Sequence, residues 1–217
     1  MEQGACGLAR RNHADTKFVN ANSARPHVIV VAGPNGAGKS TAARRLLRDA
    51  LAVREFVNAD TIAAGLSAFR PESVAIAAGR IMLTRMRALA ATREDFAFET
   101  TLASRSFGPC LAGLQQGGYH VHLLFLWLRS PELAVSRVAE RRRLGGHDVP
   151  GDVIRRRYQA GMSNFFELYL PLANSWQLFD NSERSGPTPI AAGQGAAVRI
   201  IEDDEAWQRL KDSYDAR

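Results

Sequence analysis

Short apolar runs alternate along the chain with longer amphipathic segments. The runs are rich in β-branched and aromatic residues and predict strands at 27–32, 55–58, 95–99 and 119–128. The segments between them carry apolar residues every three or four positions and predict helices at 39–52, 71–93 and 106–116, and from Pro131 onward. Strands and helices that alternate at this interval are typical of βαβ units. The predicted fold class is therefore α/β, a three-layer α/β/α arrangement around a mostly parallel central sheet.

Glycine and proline divide the helical part of the second half of the chain. Gly145 and Gly146 end the helix that begins at the proline, and Pro150 precedes a second basic helix that starts near Gly151. Further helical sequence continues to about Asn174. The pattern therefore predicts two basic helices joined by a glycine-containing loop.

The last part of the chain, from residue 176 onward, has a different pattern of short strands, turn-forming residues and one terminal helix. Two late strands are predicted at 176–180 and 198–201. Turn-forming residues fill the interval at 185–195, so we expect a surface hairpin or loop there. The residues from 202 to the end predict an amphipathic helix.

The predicted elements fit one domain at 27–217, preceded by a polar, flexible arm at 1–26. No apolar run approaches the roughly 20 residues that cross a bilayer, and the arm has no hydrophobic signal core. The two cysteines, Cys6 and Cys110, have no metal-ligand neighbours at a useful spacing. We therefore expect a cytoplasmic protein without membrane contact, a structural disulfide or zinc.

A glycine-rich turn, GPNGAGKS, lies between the first predicted strand and the first predicted helix and fits the pattern G-x-x-x-x-G-K-[ST]. Its glycines let backbone N–H groups converge on one concavity that binds anionic oxygens, and the start of the helix adds positive field. In this pattern Lys39 reaches the outer phosphates and Ser40 offers its hydroxyl to Mg²⁺. The pattern predicts a P-loop NTPase or kinase-like fold that binds ATP and Mg²⁺. The residues predicted to bind the nucleotide are Gly33, Pro34, Asn35, Gly36, Ala37, Gly38, Lys39, Ser40 and Thr41.

Two carboxylates follow the second and third predicted strands, and the carboxyl ends of parallel strands gather at one edge of a sheet. Phosphoryl transfer to a hydroxyl needs a proton acceptor, and we assign that role to Asp60, at the acceptor site. The alternative for Asp60 is an ordinary helix N-cap. Glu99 and Thr100 are also assigned to the acceptor site, where Glu99 could support the magnesium shell as well. No aspartate closes the fourth predicted strand, so Ser40 is the main predicted metal ligand, which disfavours motor ATPases and switch GTPases.

The chain is basic, with a formal net charge of +6, and only three of its 28 basic residues are lysines. Seven arginines crowd into one stretch, Arg137, Arg141, Arg142, Arg143, Arg155, Arg156 and Arg157. The two helices that carry them predict a lid at about 131–160 that brings guanidinium groups to the γ-phosphate. Arg137 and Arg141 share a helix face and are assigned catalytic roles. Arg155 is assigned to substrate binding, and His147 to a lid contact. The alternative is a solvated basic helix face.

Four segments in this order resemble the zeta-toxin family of P-loop kinases, over residues 27–182: GPNGAGKST, NADTIAAGL, FETTL and SRVAERRRLGGHDVPGDVIRRRY. The resemblance implies an ATP-dependent kinase that phosphorylates the 3′-hydroxyl of the sugar in UDP-N-acetylglucosamine, and an antitoxin protein as a partner. By position it implies that Lys39 and Ser40 hold ATP and magnesium and that Asp60 is the base. It further implies that Glu99 lies in the sugar-nucleotide site and that lid arginines stabilise the transferred phosphoryl group.

Two other functions stay open at this stage. One is a kinase for a different small hydroxylated molecule, such as a nucleoside or an antibiotic. The other is a nucleotide-dependent nucleic-acid-binding protein, which the pI near 9.9 and the arginine cluster motivate. The sequence has no recognisable nucleic-acid module and few aromatic clusters for base stacking, which disfavours the second.

Overall fold

The computed structural model describes residues 25–45, 53–146 and 148–215. The strands of this part are β1 His27–Ala32, β2 Glu55–Val57, β3 Phe96–Thr100, β4 His120–Trp127, β5 Ser175–Asp180, β6 Thr188–Gln194 and β7 Ala197–Ile201. The helices are α1 Lys39–Arg45, α2 Ala59–Leu66, α3 Ala75–Ala91, α4 Phe107–Gln116, α5 Pro131–Arg143, α6 Gly151–Asn164, α7 Leu170–Leu172 and α8 Asp204–Asp215. A 3₁₀ turn, Pro71–Val74, precedes α3, and a π-helical turn, Phe165–Tyr169, joins α6 to α7. Nearly all of the predicted arm, and His147, lie outside the described residues.

The described strands form one sheet in the order β2-β3-β1-β4-β5-β6-β7. The first five strands are parallel, and β6 and β7 are antiparallel additions at one edge. Strand β1 lies between β3 and β4, with Ala32 level with Thr100 on one side and with Phe125 on the other. The mostly parallel α/β sheet that the sequence predicts is therefore confirmed, and the turn after β1 emerges between the ends of two neighbouring strands.

Strand β1 is buried on both faces, which explains its unbroken apolar run. Val28 and Val30 belong to the main hydrophobic cluster, together with residues of α3, α4, α5 and α6. Ile29 and Val31 pack with Ala43 of α1 in a second cluster. Helices thus cover both faces of the sheet, as the three-layer prediction requires. Among the described helices, none combines the length and the apolar character that crossing a membrane demands.

The prediction of a surface hairpin or loop at 185–195 missed a strand in its central part. Residues 188–194 form strand β6, which pairs antiparallel with β5 on one side and with β7 on the other, so the connections on both sides of it are hairpin turns. Ile190 is fully buried in this strand. Gly193, which suggested a turn, is required for another reason: a Cβ there would lie 2.2 Å from the Ala197 carbonyl oxygen and 2.4 Å from the Trp176 ring. Glycine here permits a close approach inside a sheet.

The predicted helices agree with the structure apart from their ends. The segment predicted as a helix from Pro71 starts with the 3₁₀ turn, and the α-helix begins at Ala75. The helical sequence that was expected to reach about Asn174 is confirmed, because helical structure continues without a break from Gly151 to Leu172, with the π-helical turn at Phe165–Tyr169 inside it. Helix α1 is described as far as Arg45, and the remainder of the predicted 39–52 helix lies outside the described residues.

Candidate active site

The turn after β1 curls tightly under the end of β4. Gly33 has φ +140°, and a Cβ on it would lie 2.2 Å from the Leu126 carbonyl oxygen, so only glycine fits. The Asn181 side chain, just beyond β5, donates to the Ala37 carbonyl at 2.8 Å and supports the turn from outside. The Asn35 side-chain oxygen is buried without a hydrogen-bond donor among the described residues. A buried acceptor of this kind is uncommon and requires a hydrogen-bond donor, such as a hydroxyl group or a water molecule.

Lys39 lies in the glycine-rich turn at 33–40, which is named the cradle, and is 6% exposed. Its Nζ donates to the Pro34 carbonyl at 2.9 Å and lies 3.7 Å from Glu99 Oε1. Burial lowers the pKa of Lys39 from its ordinary value, the charges of Glu99 and Asp60 oppose that shift, and the charge of Arg141 adds to it. Three separate segments of the chain therefore contribute charges that act on one ammonium group.

Glu99 is the penultimate residue of β3, beside the cradle, and both of its carboxylate oxygens are engaged. Its Oε2 accepts hydrogen bonds from Ser40 Oγ at 2.7 Å and from Asn58 Nδ2 at 2.8 Å, while Oε1 faces Lys39. No aspartate closes the fourth strand. Strand β3 is as direct a neighbour of β1 as β4 is, and this strand order places the Glu99 carboxylate beside Ser40.

Asp60 is the second residue of α2 and is exposed to solvent. The N-cap of α2 is Asn58, whose Oδ1 accepts from the backbone N–H groups of Asp60 and Thr61 at 2.8 and 3.1 Å. The alternative that Asp60 is an ordinary N-cap is therefore wrong, since a neighbour performs that task. The Asp60 carboxylate is left to face solvent near the cradle, where its charge acts on Lys39.

Thr100 stabilises the loop that follows β3. Its hydroxyl accepts a hydrogen bond from the Leu102 backbone N–H at 3.0 Å. Leu102 is fully buried and has φ +56°, a conformation that costs a leucine energy. Asn164 at the end of α6 donates to the Leu102 carbonyl at 2.8 Å and holds this conformation. The predicted acceptor-site residue Thr100 thus lies beside Glu99 with its hydroxyl engaged by the backbone.

The three arginines that were predicted to act on the substrate occupy different environments. Arg137 donates to the backbone carbonyls of Asn181 and Ser182, each at 2.6 Å, so its guanidinium holds the loop after β5. Arg141, one turn further along α5, lies close enough to Lys39 for its charge to lower the pKa of that lysine. Arg155 on α6 is paired with Glu132, its Nε 3.4 Å from Oε1. Only Arg141 of the three is linked electrostatically to the cradle lysine.

One further arginine of these helices has an acidic partner, since Arg142 pairs with Asp148 at 3.1 Å. Glu140 of α5 pairs instead with Arg184, outside the two helices, at 3.0 Å. Helix α5 packs directly against the cradle, since a Cβ on Gly36 would lie 2.9 Å from the Ala134 carbonyl oxygen.

Within the described ranges, His, Cys, Asp and Glu side chains form no group of three that could hold a metal ion without help from a ligand.

Sequence reasoning missed two asparagines that organise the site. Asn58 joins α2 to Glu99, and Asn181 joins the end of β5 to the cradle. Asn58 had a local signal, because asparagine before a helical segment is a favoured N-cap. Asn181 had none, since its partner lies 144 residues earlier in the chain.

Three comparisons with known proteins bear on this site. A protein of Haemophilus influenzae with no characterised activity is 28% identical over 130 residues, which is 60% of this chain and 91% of that protein. A structure from the PezAT chromosomal toxin–antitoxin system of Streptococcus pneumoniae superposes with a TM-score of 0.63 at 17% identity and covers 90% of this chain and 80% of its own. A chain of the AvrRxo1-ORF1:AvrRxo1-ORF2 complex with sulphate ions gives a TM-score of 0.67 at 16% identity, and the match covers 87% of the present chain. The present chain spans 64% of the length of that chain.

The structural likenesses are too low in identity to show more than a shared α/β P-loop fold. The sequence itself goes further, because the profile of the family described as Zeta toxin matches residues 10–182. That range contains the cradle, both carboxylates and the two arginine-bearing helices. The chain therefore belongs to the Zeta toxin family.

Proposed function

We propose that this protein is an ATP-dependent phosphotransferase that transfers the γ-phosphate of ATP to a hydroxyl group of a small acceptor. Membership of the Zeta toxin family supports this function. A structural neighbour, the AvrRxo1-ORF1:ORF2 complex, has been determined with ATP, and its TM-score to this chain is 0.66. The proposal depends above all on one observation, the placement of Glu99, Asp60 and Arg141 around the buried Lys39.

Each group has a chemical task in this arrangement. The acceptor oxygen attacks the γ-phosphorus, the bond to the bridging oxygen of ADP breaks, and the proton of the acceptor hydroxyl passes to the Asp60 carboxylate. Lys39 and Arg141 offer positive charge to the phosphoryl oxygens, where negative charge spreads in the transition state. The exposure of Asp60 leaves it accessible to an incoming acceptor, whereas the buried lysine is reached only by a group that enters the cradle.

The donor set beside the cradle fits Mg²⁺. Ser40 Oγ and the Glu99 carboxylate, 2.7 Å apart, are hard oxygen ligands of the type that this ion prefers. Mg²⁺ keeps several waters and binds through one or two protein oxygens plus phosphate, so the sparse donor set is the expected one. When bound, the ion would neutralise negative charge on the β- and γ-phosphates.

We further propose UDP-N-acetylglucosamine as the acceptor, phosphorylated on the 3′-hydroxyl of its sugar. Its support is the resemblance of the four motif segments to the family, together with the link that Asn58 makes between Glu99 and the first turn of the helix that carries Asp60. A nucleoside or an antibiotic is the alternative within the same chemistry. A nucleic-acid-binding role is disfavoured further by the ion pairs that occupy arginines of α5 and α6.

The test is a phosphoryl-transfer assay with ATP and a panel of acceptors. We expect Lys39→Ala to abolish transfer, and Asp60→Asn to bind ATP nearly normally while turnover falls by about a hundredfold or more. Lys211→Ala, which removes a lysine from α8, is the matched control and should transfer phosphate at the wild-type rate. Equal turnover in Asp60→Asn would remove this residue from the mechanism. Transfer to another acceptor but not to UDP-N-acetylglucosamine would overturn the acceptor assignment alone.

We also infer an antitoxin protein as a partner. The support is family membership and the toxin–antitoxin system to which the Streptococcus pneumoniae neighbour belongs. The inference predicts a protein that copurifies with the tagged chain from its native host and lowers its phosphoryl-transfer rate. Copurifying proteins that leave the rate unchanged would contradict it.

A further inference from the structure

One side-chain amide connects the two carboxylates of the site. Asn58 lies between β2 and α2 and is 9% exposed. Its Oδ1 caps α2 by accepting the backbone N–H of Asp60 at 2.8 Å, and its Nδ2 donates to Glu99 Oε2 at 2.8 Å. Both ends of the amide are therefore engaged, one by the helix that carries the proposed base and the other by the carboxylate beside the cradle.

The Glu99 carboxylate depends on this amide for its orientation. Oε2 receives two hydrogen bonds, from Asn58 on one side and from Ser40 on the other, and Oε1 is turned toward Lys39 at 3.7 Å. Without the amide, the carboxylate could rotate about its last side-chain bond and lose its alignment with the serine hydroxyl. Groups that orient a metal-supporting carboxylate in this way commonly change metal affinity or activity by about 10–100-fold when they are removed.

Asparagine is the only common residue that can make both contacts in this geometry. Aspartate would keep the cap acceptor but would place a second negative charge against Glu99. Serine would keep an N-cap acceptor but has no amide donor to reach across to β3. The chemistry of the side chain, rather than its size, is what the site requires.

We propose that Asn58 is a positioning residue that fixes Glu99 for Mg²⁺–nucleotide binding and, through the same planar amide, sets the proposed base Asp60 relative to the cradle. This inference rests on the proposed function. It adds a residue that acts through the two carboxylates to which the chemistry is assigned.

The test uses the variants Asn58→Ser and Asn58→Asp in the full chain, because both retain an acceptor for the helix cap. Binding of an imido-bridged ATP analogue is measured by calorimetry, once with Mg²⁺ and once with EDTA. We expect the Mg²⁺-dependent gain in affinity to fall by about tenfold or more in both variants, and the affinity of the uncharged variant Asn58→Ser in EDTA to stay at the wild-type value. Asp203→Ala is the matched control, because Asp203 Oδ1 accepts from the Ala206 N–H at 2.9 Å and so caps α8.

The control separates positioning from a general loss of stability. All variants are followed by thermal unfolding, and we expect Asp203→Ala to lower the midpoint while leaving the Mg²⁺-dependent gain unchanged. If both Asn58 variants show the same Mg²⁺-dependent gain in affinity as the wild type, the positioning role of Asn58 is overturned. If the wild type binds the Mg²⁺ complex but transfers phosphate to no acceptor, the proposed function fails, and the calorimetry still decides the role of Asn58. If the wild type shows no Mg²⁺-dependent gain, both proposals fail.

Discussion

Mild acid should destabilise this protein through a histidine at the amino-terminal end of the central strands. His122 on β4 is 2% exposed. Its Nε2 lies 2.9 Å from His27 Nδ1, its Nδ1 lies 2.6 Å from Ser175 Oγ, and its ring stacks on His120 with 4.6 Å between centroids. A proton added here would create a charge that is removed from water and surrounded by other imidazoles.

The size of the effect follows from proton linkage. Burial, and then the neighbouring His120 and His27, lower the pKa of His122 to about 3. The unfolded chain has a histidine pKa of about 6.5, so between these two values it binds a proton that the folded chain does not. The free energy of unfolding therefore falls as the pH drops through this window, by at most about 1.4 kcal/mol per pH unit. From pH 7 to pH 5 the loss from this residue is about 2 kcal/mol.

Other charges face the same cluster and contribute a background. The Asp95 carboxylate accepts the His27 backbone N–H at 2.6 Å, and the charge of Arg25 acts on His120. Burial, followed by the charges of His27 and Arg25, lowers the pKa of His120 as well. The informative quantity is consequently the difference in pH dependence between the wild type and a variant at one histidine.

The assay is urea denaturation at pH 7, 6 and 5. We expect His122→Asn to be less stable than the wild type at pH 7 but to lose about 2 kcal/mol less than the wild type between pH 7 and pH 5. Ser175→Ala keeps the histidine while removing its hydroxyl partner, so it should retain most of the pH dependence. If wild type and His122→Asn lose the same free energy over this range, the argument for a neutral buried histidine is refuted.

Two further predictions concern packing and the arginine helix. Gly193→Ala should lower the free energy of unfolding by about 2 kcal/mol, because the new methyl would overlap the Trp176 ring. Gly113→Ala in α4 is the control: its methyl meets no atom within 4 Å, so this variant should raise the free energy of unfolding by about 0.5 kcal/mol. Equal shifts of the urea midpoint in the two variants would contradict this prediction. In the transfer assay, Arg141→Ala should lower turnover by about tenfold or more, because its charge acts at the cradle lysine, while the surface ion-paired Arg142→Ala should not change it. Similar losses in both variants would show that the helix acts only as a basic face.

Features made by adjacent residues could be predicted from the sequence. The run at 27–32 is apolar without interruption because β1 is buried on both faces, and the turn after it needs glycine at position 33 because of its own backbone angle. The Lys39 and Ser40 positions follow from that turn. The assignment of Asp60 to the edge of the sheet also rested on local order, a strand end followed by a helix.

Contacts between distant segments required the tertiary structure. Glu99 was predicted from the sequence as a candidate, but its contact with Ser40 depends on the strand order. The two arginines of α5 also have different environments that depend on packing: Arg137 binds backbone carbonyls after β5, whereas the charge of Arg141 acts on Lys39. The strand at 188–194 was missed because glycine and proline are typical of turns, whereas here a neighbouring tryptophan requires the small residue. Local backbone preferences act over a few residues, so neighbouring residues in the sequence determine them. Side-chain charge and packing act through space, so their partners are determined only once the sheet has assembled.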